Sequence, residues 1–187
     1  MKAGLFFGSF NPIHVGHLIV ANHFIEFSDI EEVWFIVSPQ NPFKEKGTLI
    51  DAKTRFKMVE AMTKDHPHFY ASDAEFNLPT PSYTIDTLKY FKKKFPWMNF
   101  VLLMGSDTYQ SLKDWKDAYI ILNDFTIYVY QRRDAEIKLK GTAKEKNVTL
   151  FDFPFVDISA TYIRELLEKG KSVKYLVPEK ALKILKP

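Results

Sequence analysis

The residues best suited to chemistry lie together near the start of the chain, in Gly8-Ser9-Phe10-Asn11-Pro12-Ile13-His14-Val15-Gly16-His17. The apolar run Ala3 to Phe7 precedes them, and Leu18, Val20, Ala21 and Phe24 follow at helical spacing, so a glycine-rich turn feeds a helix N-terminus. Such a terminus offers unpaired backbone N–H groups and the positive end of the helix dipole, which together favour a phosphate. Two histidines there add hydrogen bonds and a charge that responds to pH near neutrality, suited to stabilising charge that develops on a phosphoryl group. The same pair could instead cap the helix or bind a metal. Zinc is not expected, because it needs three or four ligands and His23, His66 and His68 stand in no matching pattern.

A second such segment is Asp157-Ile158-Ser159-Ala160-Thr161-Tyr162-Ile163-Arg164, which opens a helical pattern with Ser159 or Thr161 placed to cap it. Thr161 and Arg164, three apart, share a helix face. Hydroxyls, free N–H groups and a guanidinium fork at one helix start form another anion site, although capping and a solvated arginine would give the same pattern. A third candidate, Gly170-Lys171-Ser172, lacks the glycine five positions earlier that a phosphate-binding P-loop requires, since Glu165 stands there. It reads as a helix C-terminal stop.

The elements that must position these groups follow from apolar patterning. Short runs rich in β-branched and aromatic residues at Ala3 to Phe7, Val33 to Val37, Phe69 to Ala71, Phe100 to Met104, Thr126 to Tyr130 and Val148 to Phe153 predict buried strands. Helical spacing covers Gly16 to Phe27, Asp51 to Lys64, Tyr83 to Phe95 and part of Thr108 to Leu122. Alternating strand and helix predict an α/β, doubly wound, mostly parallel sheet with ligands beyond the carboxyl ends of its strands. Ser159 to Lys169 and Glu179 to Leu185 predict a short C-terminal helical tail, and no break divides residues 1–187 into more than one domain.

Composition narrows the function classes. The chain has 187 residues, 46% hydrophobic and 26% charged, which excludes fibrous and disordered classes. It has no cysteine, so thiolate zinc sites and cysteine nucleophiles are excluded, and a reducing compartment is expected. The formal charge of +3 is too mild for a dedicated nucleic-acid binder. The N-terminus has no export-signal core and no stretch approaches the roughly 18 apolar residues of a membrane span, so a cytoplasmic protein without membrane partners is expected.

The Gly8 to His17 segment resembles the signature of the nucleotidyltransferase superfamily, with its H-x-G-H core, which occurs on a Rossmann-like fold. That resemblance implies that His14, His17 and the backbone of Gly8, Ser9 and Phe10 contact the phosphates of a nucleoside triphosphate. The Ile158 to Arg164 segment is similar to the superfamily's I-S-S-T-x-I-R motif, with Ala160 in place of the second serine. It implies an ATP-binding role for Ile158, Ser159, Thr161 and Arg164.

Three further segments resemble the nicotinate-nucleotide adenylyltransferase branch. Ser38-Pro39-Gln40-Asn41-Pro42-Phe43-Lys44 looks like its P-x-x-x-P-H-K loop, with Phe43 in place of His, and implies a phosphate contact for Lys44. Pro81-Ser82-Tyr83-Thr84-Ile85-Asp86-Thr87-Leu88 looks like P-S-Y-T-x-D-T-L, and Gly105-Ser106-Asp107 followed by Trp115 looks like G-x-D…W. In physical terms Ser82 and Thr84 at a helix start can donate to a carboxylate, an indole can stack on a pyridine ring, and Asp107 can accept from a ribose or a metal-bound water, or cap a helix.

The resemblance implies ATP and nicotinate mononucleotide as substrates, Mg²⁺ as cofactor, and catalytic roles for His14, His17, Lys44 and Arg164. It further implies ATP contacts at Gly105 and Asp107, and nicotinate contacts at Ser82, Tyr83, Thr84 and Trp115. Arg132 or Arg133 adds a phosphate contact, and the polar loop Ser38 to Thr48 is expected to order on substrate. Three alternatives stand beside this: a sister transferase acting on pantetheine phosphate or glycerol phosphate, a nucleotide-binding regulator without chemistry, and a nucleic-acid module using the Lys92-Lys93-Lys94 run.

Overall fold

The structure is a computed structural model that describes residues 1–40, 49–139 and 145–185. Six strands, β1 (Lys2–Gly8), β2 (Glu32–Val37), β3 (Phe69–Ser72), β4 (Asn99–Gly105), β5 (Thr126–Tyr130) and β6 (Val148–Phe151), pair in parallel in the order β3-β2-β1-β4-β5-β6. The helices are α1 (Val15–Phe27), α2 (Ala52–Thr63), α3 (Thr84–Lys94), α4 (Ser106–Ser111), α5 (Ala118–Asp124), α6 (Ala160–Glu168) and α7 (Glu179–Leu185). This is the expected doubly wound, Rossmann-like fold with its helical tail.

The strands are apolar on both faces because both faces are covered. Phe6, Phe35, Leu103 and Tyr128 point into a core with Val20, Phe24, Met58, Val59, Ile163 and Ala181, which come from α1, α2, α6 and α7. Their neighbours Leu5, Ile36, Leu102 and Val129 point the opposite way, into a core with Ile85, Leu88, Phe91 and Ile121 from α3 and α5. The sequential order reverses between β1 and β4, so the chain winds outward from that pair in both directions. Registers that set Gly8 opposite Val37 and Gly105 opposite Tyr130 bring four strand ends to one edge. A crevice opens there, at the switch point where such sheets bind ligands.

Two boundaries differ from the sequence expectation. The helical pattern between 108 and 122 is broken into α4, a 3₁₀ turn at Leu112–Asp114, and α5, because Asp117 takes the left-handed conformation at φ 52° before α5 begins. The last strand ends at Phe151 and leaves Phe153 to fill the α1-side core from the loop. At the end of α6, Gly170 adopts φ 63° and donates its N–H to Leu167 O at 3.0 Å, while Lys171 N–H reaches Leu166 O at 2.8 Å. That is a Schellman stop, so Gly170-Lys171-Ser172 ends a helix as expected. Among the described residues no helix is long and apolar enough to cross a membrane.

Candidate active site

The turn after β1 is built around Phe10, which takes φ 45° and turns its ring into the sheet. The ring lies 6.1 Å from Phe6, 5.7 Å from Phe35 and 5.0 Å from His17, centroid to centroid. This apolar anchor holds the chain as it reverses into α1. His14 is the residue before the first helical turn, with extended backbone, and its N–H donates to His17 Nδ1 at 3.2 Å. His17 Nδ1 is thus the acceptor of that bond. The two imidazoles lie 3.7 Å apart, tilted by 31°.

His14 is 5% exposed, and its Nδ1 is buried without a hydrogen-bond partner among the described residues. Burial, assisted by the positive charge of Arg132, lowers its pKa to about 4, so the ring is neutral at physiological pH. Gly16 explains the middle of the motif: a Cβ there would sit 3.0 Å from His14 Nδ1 and 3.2 Å from Val156 Cγ1. A side chain there would press on His14 where the ring folds back over the helix start.

The C-terminal motif arrives at the same place. Ser159 caps α6, its hydroxyl accepting from Tyr162 N–H at 3.1 Å. Arg164 donates from one Nη to the carbonyl of Asn11 at 2.9 Å and from the other to Thr161 Oγ1 at 3.1 Å. The backbone N–H of Val15 donates to Leu176 O at 2.9 Å, a second tie between tail and turn. The starts of α1 and α6 therefore face one another across a cavity of about 130 Å³, with Gly16, His17, Ile158, Ser159, Ala160 and Arg132 in its wall. Two helix N-termini converging on one space suit a polyanion.

Beside it a larger cavity of about 380 Å³ runs along the carboxyl edge of the sheet, bounded by Gly8, Ser9, Phe10 and His17 at one side. Gly105 and Asp107 form its floor. A Cβ at Gly105 would fall 2.4 Å from Asp107 Oδ1 and 3.0 Å from Arg132 Cδ, so the glycine leaves room for the Asp107–Arg132 ion pair, closed at 3.5 Å. Arg132 N–H also donates to the buried Ser106 hydroxyl at 2.8 Å. Arg133 turns away onto the Phe155 ring at 5.8 Å, so Arg132 is the arginine of that pair that faces the cavity. Ser82, Tyr83, Thr84, Trp115 and Lys116 line the far end, where Lys116 binds Asp86 at 2.8 Å and lies 4.8 Å from the Tyr83 ring centroid. Tyr83 is the residue that precedes α3, and it makes no side-chain cap.

The comparisons with known proteins agree. A family model described as cytidylyltransferase-like matches residues 5–166. A protein of Cytophaga hutchinsonii named "Probable nicotinate-nucleotide adenylyltransferase" is 48% identical over 99% of this chain and 95% of its own length. One with the same name from Bacteroides thetaiotaomicron is 38% identical over 96% of this chain and 88% of its own. The chain belongs to the nicotinate-nucleotide adenylyltransferase family. Among solved structures, "Plasmodium falciparum nicotinic acid mononucleotide adenylyltransferase complexed with NaAD" superposes with a TM-score of 0.84 at 21% identity, covering 99% of this chain and 95% of that one. A likeness at that identity speaks for the fold.

Within this family member the structure thus brings His14, His17, Ser159, Thr161 and Arg164 together at one end of the crevice. Ser82, Tyr83, Thr84 and Trp115 gather at the other, with Gly105, Asp107 and Arg132 between. Lys44 and Phe43 lie outside the described residues, as does most of the Ser38 to Thr48 loop. The Lys92 to Lys94 run occupies the exposed last turn of α3 and fits a solvated, dipole-favoured terminus.

Two site residues escaped the sequence argument. Arg55 on α2 is fully buried, and its guanidinium donates to the carbonyls of Ile50 at 2.8 Å, Ser9, Ser38 at 2.8 Å and Pro39 at 3.0 Å. It clamps the turn after β1 to the strand end of β2. A signal existed: Arg55 occupies the apolar register of Met58, Val59 and Met62, where a cation has no reason to be unless it is bonded. Glu75, in the 3₁₀ turn Ala74–Asn77, is 1% exposed and borders the large cavity.

Proposed function

We propose that the chain transfers the adenylyl group of ATP to nicotinate mononucleotide, forming nicotinate adenine dinucleotide and pyrophosphate in NAD biosynthesis. The observation that carries this is the convergence of the α1 and α6 starts, with His14, His17 and Arg164, on one end of a crevice whose other end holds Trp115 and the Ser82–Thr84 entrance to α3. One end suits a triphosphate, and the other suits an aromatic acid.

The reaction needs no protein nucleophile. A phosphate oxygen of nicotinate mononucleotide attacks the α-phosphorus of ATP, an O–P bond forms, the bond from the α-phosphorus to the bridging oxygen breaks, and pyrophosphate leaves with that electron pair. Catalysis then consists of holding the two substrates in line and stabilising charge on the phosphoryl oxygens. The His17 imidazole, the guanidinium groups of Arg132 and Arg164, and the helix N-termini line the phosphate end. His14, neutral and packed on His17, keeps that ring in place. Lys44 is assigned a phosphate contact from its motif.

A divalent cation belongs with ATP chemistry of this kind, and we propose Mg²⁺. Among the described residues no group of three or more His, Cys, Asp or Glu side chains is arranged to hold a metal ion. Mg²⁺ keeps several waters and takes substrate phosphates with one or two carboxylates. Asp107, on the wall between the two ends, is the carboxylate in place for it. When bound, the cation neutralises phosphate charge and eases departure of pyrophosphate. The proposal extends to a single domain over residues 1–187, a cytoplasmic location, and small-molecule rather than nucleic-acid partners.

The test is pyrophosphate release from ATP and Mg²⁺ with nicotinate mononucleotide, nicotinamide mononucleotide and pantetheine phosphate as parallel acceptors. The first is expected to be strongly preferred, and His17→Ala is expected to lose roughly 10² to 10³ in turnover, as loss of an oxyanion donor does. Turnover only with another acceptor would overturn the substrate. No turnover with any of the three would favour a nucleotide-binding regulator.

A further inference from the structure

Adenylyl transfer puts one atom, the α-phosphorus of ATP, within reach of two partners. Pyrophosphate leaves from it on the triphosphate side, and the acceptor's phosphate oxygen arrives from the other. That atom must therefore lie where the cavity at the starts of α1 and α6 meets the larger cavity along the sheet edge. Among the described residues, His17, Tyr130, Arg132 and Ala160 border both cavities. Ala160 has no polar side-chain atom, and His17 and Arg132 already stand at the phosphate end. Tyr130 is the polar side chain of this junction that has no role so far.

Tyr130 is the last residue of β5, and the β4–β5 register sets it opposite Gly105. Its ring meets Phe6 edge-on at 6.5 Å and 89°, and Phe24 at 6.3 Å and 73°, so packing in the α1-side core fixes its orientation. Cζ, the carbon that bears the hydroxyl, would lie 3.2 Å from a Cβ at Gly105, so the glycine gives the phenol its place at the strand end. The charged groups that face the hydroxyl are the Arg132 guanidinium and the Asp107 carboxylate, which are paired with each other at 3.5 Å. A phenol keeps its proton at neutral pH, and burial moves Tyr130 further that way against the smaller opposing effect of Arg132. The junction thus carries a neutral O–H group anchored by apolar packing.

We propose that Tyr130 is a further catalytic residue, its O–H donating to a non-bridging oxygen of the α-phosphoryl group as the acceptor oxygen attacks. This rests on the adenylyl-transfer function proposed above and deepens it. A donor held by two packed rings needs no reorganisation when charge develops on that oxygen. Being neutral, it does not compete with Arg132 and Arg164 for the charges of the departing pyrophosphate. No proton is transferred, and the bonds made and broken remain those at the α-phosphorus.

The experiment compares the wild type with Tyr130→Phe, which keeps the ring and its packing and removes only the hydroxyl. Rates are measured with nicotinate mononucleotide and ATP, and with each of the two diastereomers of ATP that carry sulfur in place of one α-oxygen. Y130F is expected to lose about 10- to 100-fold in kcat, the worth of a hydrogen bond to a charged group, with KM for both substrates kept within about threefold. Sulfur accepts hydrogen bonds poorly, so the rate loss it causes should shrink by about threefold or more in Y130F for one diastereomer and stay unchanged for the other. A kcat within about threefold of wild type, a rise in KM alone, or sulfur effects unchanged for both diastereomers overturns the role of Tyr130. If Y130F is poorly stable, the sulfur effects decide, since each compares two substrates on one protein. Wild-type protein without turnover on nicotinate mononucleotide would instead overturn the parent function, so the two failures are distinguishable.

Discussion

Replacing Arg55 by Met should loosen the turn after β1 from a position that lines neither of the two cavities. Met keeps the length and helix preference of the side chain and removes all of its donors. Four carbonyls lose a partner, and those of Ser9 and Ser38 belong to residues 5% and 7% exposed, which water does not readily reach. Two buried carbonyls left unpaired cost about 2–6 kcal/mol, part of which is returned because a buried cation is no longer desolvated, so a net loss of about 2–4 kcal/mol is expected. With a urea m-value near 2 kcal/mol/M, the unfolding midpoint should fall by about 1–2 M. Because Ser9 lies in the turn between β1 and His14, KM for ATP should rise as well. Arg55→Lys should fall between the two, since one compact ammonium cannot reach carbonyls arranged around a fork. A midpoint within about 0.3 M of wild type for R55M, outside the spread of such extrapolations, would refute the clamp. So would full rescue by lysine.

Two further outcomes follow from the histidine turn. Gly16→Ala would place a methyl carbon 3.0 Å from His14 Nδ1, tighter than ordinary contact, so the His14 ring must shift and carry His17 with it. Turnover should drop by about tenfold or more with little change in the unfolding midpoint, since misplacement of a positioned group costs rate steeply; a fully active G16A would contradict the packing argument. His14, with a pKa of about 4 in the folded chain against an ordinary value of 6.5, is neutral in both states at pH 7. As pH falls below about 6.5 the unfolded chain takes up a proton that the folded chain refuses, so stability declines down to about pH 4, by up to about 3 kcal/mol, and the contribution then levels. Denaturation of wild type and His14→Gln across pH 4 to 7 should show the variant with the shallower slope, and parallel slopes would remove His14 from that titration.

Much of the fold could be read from local pattern because a parallel sheet covered on both faces writes its strands as unbroken apolar runs. Val33 to Val37 and Phe100 to Met104 are such runs, and each lies within the strand found there. The two motifs proposed to bind anions were equally visible, since caps and glycine turns are local. What sequence did not show is where distant segments meet. Glu75 has nothing around it in Asp73-Ala74-Glu75-Phe76-Asn77 to mark a buried carboxyl; its burial comes from Thr87 and Ser82 at the entrance to α3 and from Ser38 at the end of β2. Arg55 did carry a trace, a cation in an apolar register, but its partners at Ser9 and Ser38 lie 46 and 17 residues away. Between Arg132 and Arg133 adjacency gave no choice, and only the turn after β5 separates them.

The bond from Arg164 to the carbonyl of Asn11 spans 153 residues, and the bond from Val15 to Leu176 closes an even longer loop. During synthesis, then, β1, α1 and the first half of the sheet leave the ribosome long before the second wall of the phosphate end exists. A nascent chain that has passed β6 can have its sheet and still lack the proposed triphosphate site. Nucleotide binding should therefore switch on late and in one step, when the segment from Ser159 to Leu176 folds onto the front of the sheet. Losses from the C-terminal end that reach this segment would abolish binding while leaving most of the parallel sheet formed.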